Sequence, residues 1–492
     1  MNVVSKTEFF DNAIWKFLET ICKKIISLVL STIIARLLIP EAYGLVALTT
    51  VFITFSDIFI LNGFNVALIR KDKVTELDYS TVLFLSLIFS TGIYIIIFIC
   101  SPLFAQFYES AELNAVLRVI TLLLFPQSLA TVIRSKGTRE LRFKEMSLAS
   151  LASSIVSSII GVLIAYKGFG VWALVAQQVL TNFFDMLFLA VVFKWHFSLR
   201  FSFDIAKQML SFTGGVLGAS FLDFLGNNIN GLVIGKVYSP TDLGYYNRGN
   251  TYPETISLNV FNSINSVLLP TLASRQNDAI ALKSVVGKVI AVTEYMVIPM
   301  MFGLIAISDR FVSVLLTEKW TGCIPLLICA CLYYAVNPVR AVGYSVFYAK
   351  GESKKCFNIE IIRSIMMICN LLFTIVVFHK SIFILSLVNV FISLVVMILT
   401  QYQVKKSIGY GFFDLAKDIC PSFFMSLIML LVVRAVSFVK IPDYAILIIQ
   451  IILGTISYLV LSIVSKNMCF YYIMNYCKSR LKRDVEKEEK YD

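Results

Sequence analysis

Apolar runs of about 20 residues, separated by short polar stretches, recur along the whole chain. A run of that length carries a helix across a hydrocarbon core about 30 Å thick. The pattern predicts helices near 13–37, 42–67, 79–105, 113–134, 146–166 and 171–193 in a first half. In the second half it predicts 209–236, 241–269, 286–308, 322–348, 357–378 and 382–403, then a final pair near 419–438 and 443–465. An even total of fourteen places both termini on one side.

Two short stretches mark the halves as related. Ala35-Arg36-Leu37-Leu38-Ile39-Pro40-Glu41-Ala42-Tyr43-Gly44 is echoed by Gly235-Lys236-Val237-Tyr238-Ser239-Pro240-Thr241-Asp242-Leu243-Gly244. Each lies between the first two helices of its half and reads as a tight turn. Proline suits the first turn of a helix, where its missing N–H has no partner to lose. Ser239 and Asp242 read as a helix start, and Arg36 and Lys236 meet the negative end of the preceding helix. The expected fold is an all-α polytopic membrane protein built as two pseudo-symmetric six-helix bundles, 1–200 and 201–404. Helices 13 and 14 follow within 405–466, then a cytoplasmic tail, 467–492.

Composition agrees with the pattern. Of 492 residues, 58% are hydrophobic and only 15% charged, against about 25% charged in an average soluble domain. No polar stretch is long enough to fold as a separate domain. The net charge of +12 does not point to nucleic acid, because the basic residues sit in short loops. Arg70, Lys71 and Lys73, then Arg134 to Lys144, Lys194 and Arg200, Lys350 to Lys355, Lys405 to Lys417, and the tail from Lys478 form one set. The opposite loops hold few cations, so the rich set and both termini are expected in the cytoplasm. The ten cysteines are scattered without metal spacing and read as buried thiols. No metal site is expected.

Polarity enters the membrane at particular places. Lys16, Glu19, Lys23 and Ser27 share one face of the first helix. Asp223, Asn227 and Asn230 form a stripe on the seventh, and Asn247, Asn250, Glu254, Asn262 and Asn265 another on the eighth, with Arg248 alongside. Helix two carries Asp57 and Asn65. Each charge at mid-span costs about 2.5–3.5 kcal/mol on the insertion scale, so these faces are expected to line a water-filled cavity between the bundles. Lys16 reads equally as a membrane-edge anchor. Arg340 lies mid-span and is the best single candidate for a cavity cation. Arg118 reads equally as structural, and Asp185 and Arg363 as members of local ion pairs. Pro126, Pro253, Pro299 and Pro338 interrupt helices, as suits alternating access.

No catalytic constellation is present. His196 and His379 fall in loops on opposite sides, and no P-loop, GxSxG or HExxH occurs. An enzyme is not expected.

The order of motifs resembles the polysaccharide (Wzx-type) flippases, in the MOP superfamily that also holds lipid II flippases and MATE exporters. The resemblance rests on Arg36-Leu37-Leu38-x-Pro40-Glu41-x-Tyr43-Gly44, Arg142-Phe143-Lys144 and Gly168-Phe169-Gly170-Val171-Trp172. It continues through Leu243-Gly244-Tyr245-Tyr246-Asn247-Arg248, Leu269-Pro270-Thr271-Leu272 and Glu318-Lys319-Trp320. It implies export of oligosaccharide units carried on undecaprenyl pyrophosphate across a bacterial inner membrane, by alternating access. It implies no cofactor. Lys16, Lys23, Arg248 and Arg340 would hold the phosphates, and Asn227, Asn230, Asn247 and Asn250 the sugars. Asp57, Asp223 and Glu254 would carry coupled H⁺ or Na⁺ or pair with cavity cations. The partners implied are the bilayer, the lipid-linked substrate and polymerase or assembly proteins. Two other readings were open on the residues: a MATE-like exporter of organic cations, and a polysaccharide polymerase or ligase.

Overall fold

The computed structural model describes residues 29–58, 60, 68, 71, 74–196, 200–210, 224, 231–273, 275, 278–377, 381–438, 441–472, 474 and 475. The chain divides into two compact units, Met1–Gly244 and Tyr245–Asp492.

The first unit holds α1 (Pro40–Asp57), α2 (Glu76–Phe107), α3 (Ala111–Ile120), α4 (Leu124–Arg139), α5 (Phe143–Tyr166) and α6 (Val171–Val192). Pro40 occupies the first turn of α1, as the turn motif predicts. Thr75 starts α2 through a capping box: its hydroxyl accepts Asp78 N–H, and Asp78 accepts Thr75 N–H at 2.7 Å. The expected helix 113–134 lies within one candidate span, Ala111–Arg139. A 3₁₀ turn at Thr121–Leu123 separates α3 from α4. Thr121 Oγ1 donates back to Leu117 O at 2.7 Å, and Pro126 has no N–H to offer Leu122 O. The Gly168-Phe169-Gly170 motif is a turn with φ of 82° and 56° at the two glycines, a region that favours residues lacking Cβ.

The start of α7 (Pro240–Ala273) falls in the first unit and the rest in the second. Ser239 caps it, accepting Asp242 N–H at 3.0 Å, as its sequence suggests. The second unit continues with α8 (Ala279–Phe311), α9 (Ile324–Ala349), α10 (Ser353–Val377), α11 (Ile382–Ile408), α12 (Phe412–Ala435) and α13 (Asp443–Val464). Tyr245 and Trp320 explain two of the sequence motifs together. The Tyr245 hydroxyl donates to Lys319 O at 3.0 Å, and its ring meets the fully buried Trp320 edge-on.

Ten of the described helices are long and apolar enough to span a membrane. The pattern of burial is that of a chain dissolved in lipid. Ser86, Ser90, Ser101, Ser128 and Ser157 are completely buried, whereas Ile99, Leu103 and Val376 are 67%, 63% and 74% exposed. Small and hydroxyl residues join the helices, as expected where apolar burial gives no advantage over lipid. Along α5 and α6, Ser157 and Thr181 hydroxyls bond at 2.6 Å, and Gln177 Nε2 donates to Ser158 Oγ at 2.9 Å. The second unit has an apolar core in which Val286, Val342, Val346 and Phe347 are sealed from solvent.

Candidate functional site: a charged cleft in the second unit

The cleft is built by a helical hairpin. A turn at Lys350 to Glu352 joins α9 to α10, so Arg340 and Glu360, equally far from Lys350, come opposite each other. Arg340 Nη1 donates to Glu360 Oε1 at 2.8 Å, and its Nε and Nη2 donate to Asn337 Oδ1 at 3.2 and 2.7 Å. Its guanidinium also lies 5.5 Å from the Tyr344 ring centre. The Tyr344 hydroxyl shares Glu360 Oε1 at 2.8 Å. The second oxygen, Oε2, accepts Arg363 Nε at 2.5 Å. Two guanidinium groups thus share one carboxylate, which leaves a surplus positive charge.

These side chains are partly wet. Arg340, Arg363 and Glu360 are 21%, 15% and 32% exposed. They border an open cleft with Tyr333, Asn337, Met367 and Ser393. A proline ties the cleft to α7. Pro338 has no N–H for Tyr334 O, and Ser257 Oγ of α7 takes that carbonyl at 3.1 Å. The Tyr334 hydroxyl bonds Glu254, and Tyr333 lines the cleft together with Arg340 and Arg363. A polar seam therefore runs from Glu254 on α7 through the tyrosines to Arg340.

The other predicted residues are placed differently. Arg248 is 6% exposed, packed over the Tyr252 ring at 5.2 Å. Asn250 Nδ2 turns back to Tyr246 O at 2.7 Å, and Asn247 O accepts Thr251 Oγ1 at 2.7 Å. Asp57, in the first unit, is half-buried and accepts Gln127 Nε2 at 2.7 Å. Asp185 pairs with Arg134 at 2.6 Å, and Arg118 Nε donates to Ser101 Oγ at 2.8 Å over the Phe98 ring. Lys16, Lys23, Asp223, Asn227, Asn230 and His379 lie outside the described residues. Three contributors were not singled out from the sequence: Glu360, Tyr333 and Tyr344. The i,i+3 spacing of Glu360 and Arg363 was the available signal for the first.

Many apolar helices, with charges paired inside them, define a polytopic membrane protein. The family model described as "Polysaccharide biosynthesis protein" matches residues 33–325, and the chain belongs to that family. Teichuronic acid biosynthesis protein TuaB of Bacillus subtilis is 22% identical over 352 residues, 71% of this chain and 73% of TuaB. Lipopolysaccharide biosynthesis protein WzxC of Escherichia coli is 22% identical over 377 residues, 75% of each chain. Among solved structures, the lipid II flippase MurJ in an inward closed conformation superposes with a TM-score of 0.72. That match has 17% identity and covers 92% of this chain and 99% of MurJ. The fold is therefore the all-helical one that the sequence motifs implied.

Proposed function

We propose that this protein moves oligosaccharide units carried on undecaprenyl pyrophosphate from the inner to the outer leaflet of a bacterial inner membrane, by alternating access. The observation that carries the reading is the pair Arg340 and Arg363 sharing the single carboxylate Glu360 within membrane helices. A surplus guanidinium there offers paired N–H donors to phosphate oxygens, and a planar fork suits that geometry. Lys16, Lys23 and Arg248 are further candidate phosphate contacts. Asn227, Asn230, Asn247 and Asn250 are candidates for sugar hydroxyls, and coupled H⁺ or Na⁺ on Asp57, Asp223 or Glu254 is part of the proposal. The cytoplasmic placement of both termini follows from the loop cations. Family membership and the names of the relatives support polysaccharide assembly as the setting. A cationic cargo fits poorly beside an excess of arginine.

The test is deletion in the native host with analysis of lipid-linked sugars. Accumulation of one such lipid on the cytoplasmic side, relieved by the wild-type chain but not by Arg340→Ala, is expected. Normal surface polymer in cells carrying both Arg340→Ala and Arg248→Ala would overturn the phosphate-binding role.

A further inference from the structure

One acidic side chain of the second unit takes part in none of the contacts above. Glu294 sits near the middle of α8, a helix of 33 residues. It is 1% exposed, and among the described residues neither carboxyl oxygen has a hydrogen-bond partner. Its neighbours one and two turns away on the same face, Ile290, Val297, Ile298 and Met301, are apolar and buried. The ion pairs of α8 among the described residues lie near its ends: Lys283 with Asp414 of α12 at 2.8 Å, Asp309 with Arg434 of α12 at 2.5 Å, and Arg310 with Asp443 of α13 at 3.3 Å. The helices packed on α8 also carry Cys329, Cys331 and Tyr334 on α9, Tyr402 on α11, Asp418 and Cys420 on α12, and Tyr458 on α13. None of these hydrogen-bonds Glu294.

An isolated buried carboxylate carries a penalty of several kcal/mol. Elsewhere the chain offsets such costs, pairing Asp185 with Arg134 and Glu360 with two arginines. At Glu294 nothing does so, and the group is accommodated as the neutral acid. A role in packing alone would be served as well by leucine, because an apolar replacement at such a site is often neutral or stabilising. An ionisable group kept at mid-membrane is a functional group by default.

A second feature lies one turn on. Pro299 cannot donate to Tyr295 O, and Tyr458 of α13 donates to that carbonyl instead, at 3.0 Å. Here α8 lacks one internal hydrogen bond, a joint that an external hydroxyl bridges. The geometry points to Glu294 as a proton-binding site whose loading and release couple proton movement to transport through this joint. The proton passes between a carboxyl oxygen and water, which reaches the site only when α8 repacks. The ligand is H⁺ rather than Na⁺, because a hard cation takes several oxygen ligands and no polar atom bonds these oxygens. The coupling rests on the transport function proposed above; the proton site does not.

The test uses the full chain in lipid. Infrared difference spectra of wild type against Glu294→Gln at neutral pH are expected to contain a protonated-carboxyl band. A spectrum without one overturns the proposal. In proteoliposomes given lipid-linked oligosaccharide extracted from the host, wild-type translocation is expected to vary with pH and Glu294→Gln to lose that dependence. A purely structural role would lower the rate by one factor at every pH, and a variant retaining the wild-type profile overturns the coupling. Glu294→Leu covers the case in which the amide disturbs packing, and its profile must be flat as well. A wild type that holds the band yet moves no lipid-linked sugar would uphold the proton site and overturn the transport reading.

Discussion

Gly44 and Gly244, equivalent positions of the two turn motifs, face each other through bare backbone. A Cβ on Gly44 would overlap the carbonyl of Pro240, and a Cβ on Gly244 would overlap that of Pro40 and lie 3.3 Å from Gly44 N. The two copies are thus reciprocal neighbours as well as similar sequences. Carbonyl groups cannot yield as a flexible side chain does, so Gly44→Ala and Gly244→Ala are each expected to cost roughly 1–3 kcal/mol. The double variant should cost less than the sum, because one displacement relieves both overlaps. Gly92→Ala, where nothing lies within 4 Å, is the neutral control. Thermal unfolding of the purified variants in detergent checks this, and equal stability of Gly44→Ala and Gly92→Ala would contradict it.

Thr317 is held at φ 81°, ψ 167°, between the π-helical turn Val312–Leu316 and the 3₁₀ turn that buries Trp320. That region is essentially reserved for glycine and costs a side chain of this kind about 1–3 kcal/mol. Its hydroxyl is also buried without a hydrogen-bond partner among the described residues. Thr317→Gly removes both burdens and adds about 0.5–1 kcal/mol of chain entropy cost. A net gain of roughly 1 kcal/mol is expected, seen as a higher melting temperature. A lower one would mean that the backbone at 317 relaxes once it is freed from its neighbours.

The two glycine turns and Thr317 differ in how much of their structure the sequence carries. The Pro–Gly motif was legible as a turn, because proline at a helix start and a cap at Ser239 depend on local chemistry alone. The contact between the two turns was not, since it is a tertiary relation. Arg340 stood out because one arginine in an apolar run is a strong departure from pattern. Glu360 did not, because its role exists only once the turn at Lys350 sets the register of the hairpin. Glu294 escaped for another reason: a single acid within Ala291 to Met301 forms no stripe and scarcely alters the hydropathy of a long helix. The Asn247 and Asn250 stripe was real as a pattern, but Asn250 spends its amide on its own helix. Thr317 carries no sequence signal at all, because its conformation is imposed by the turns on either side.

Outside the membrane helices, Glu352 is a pH-sensitive clamp. Burial pushes its carboxyl up, but hydrogen bonds from Lys355 and Ser407, at 2.9 and 2.7 Å, outweigh this and hold it below the usual carboxylate range. A group with a lowered folded-state pKa contributes stability that is present above its unfolded value, about 4.3. That stability is lost as pH falls through the lower folded value. Glu352→Gln should therefore be less stable than wild type at about pH 6 and converge with it as pH falls below the usual carboxylate range. Melting curves across that range check the sign, and a constant gap would show that the carboxyl is not held low.

The arginine pair offers the prediction closest to function. Glu360→Gln leaves Arg340 and Arg363 facing a neutral amide, with like charges across it. Removing one partner of a fully buried pair costs about 3–5 kcal/mol. With side chains 15–32% exposed water screens part of that, so roughly 2 kcal/mol is expected. Adding Arg363→Gln removes the repulsion and should restore most of the loss, which a simple packing defect at Glu360 would not allow. An anion that occupies the cleft raises the melting temperature in proportion to its binding. Pyrophosphate should accordingly stabilise Glu360→Gln more than wild type, and Arg340→Ala least. If all three respond alike to pyrophosphate, the cleft is a structural ion pair and the phosphate contact lies elsewhere in the chain.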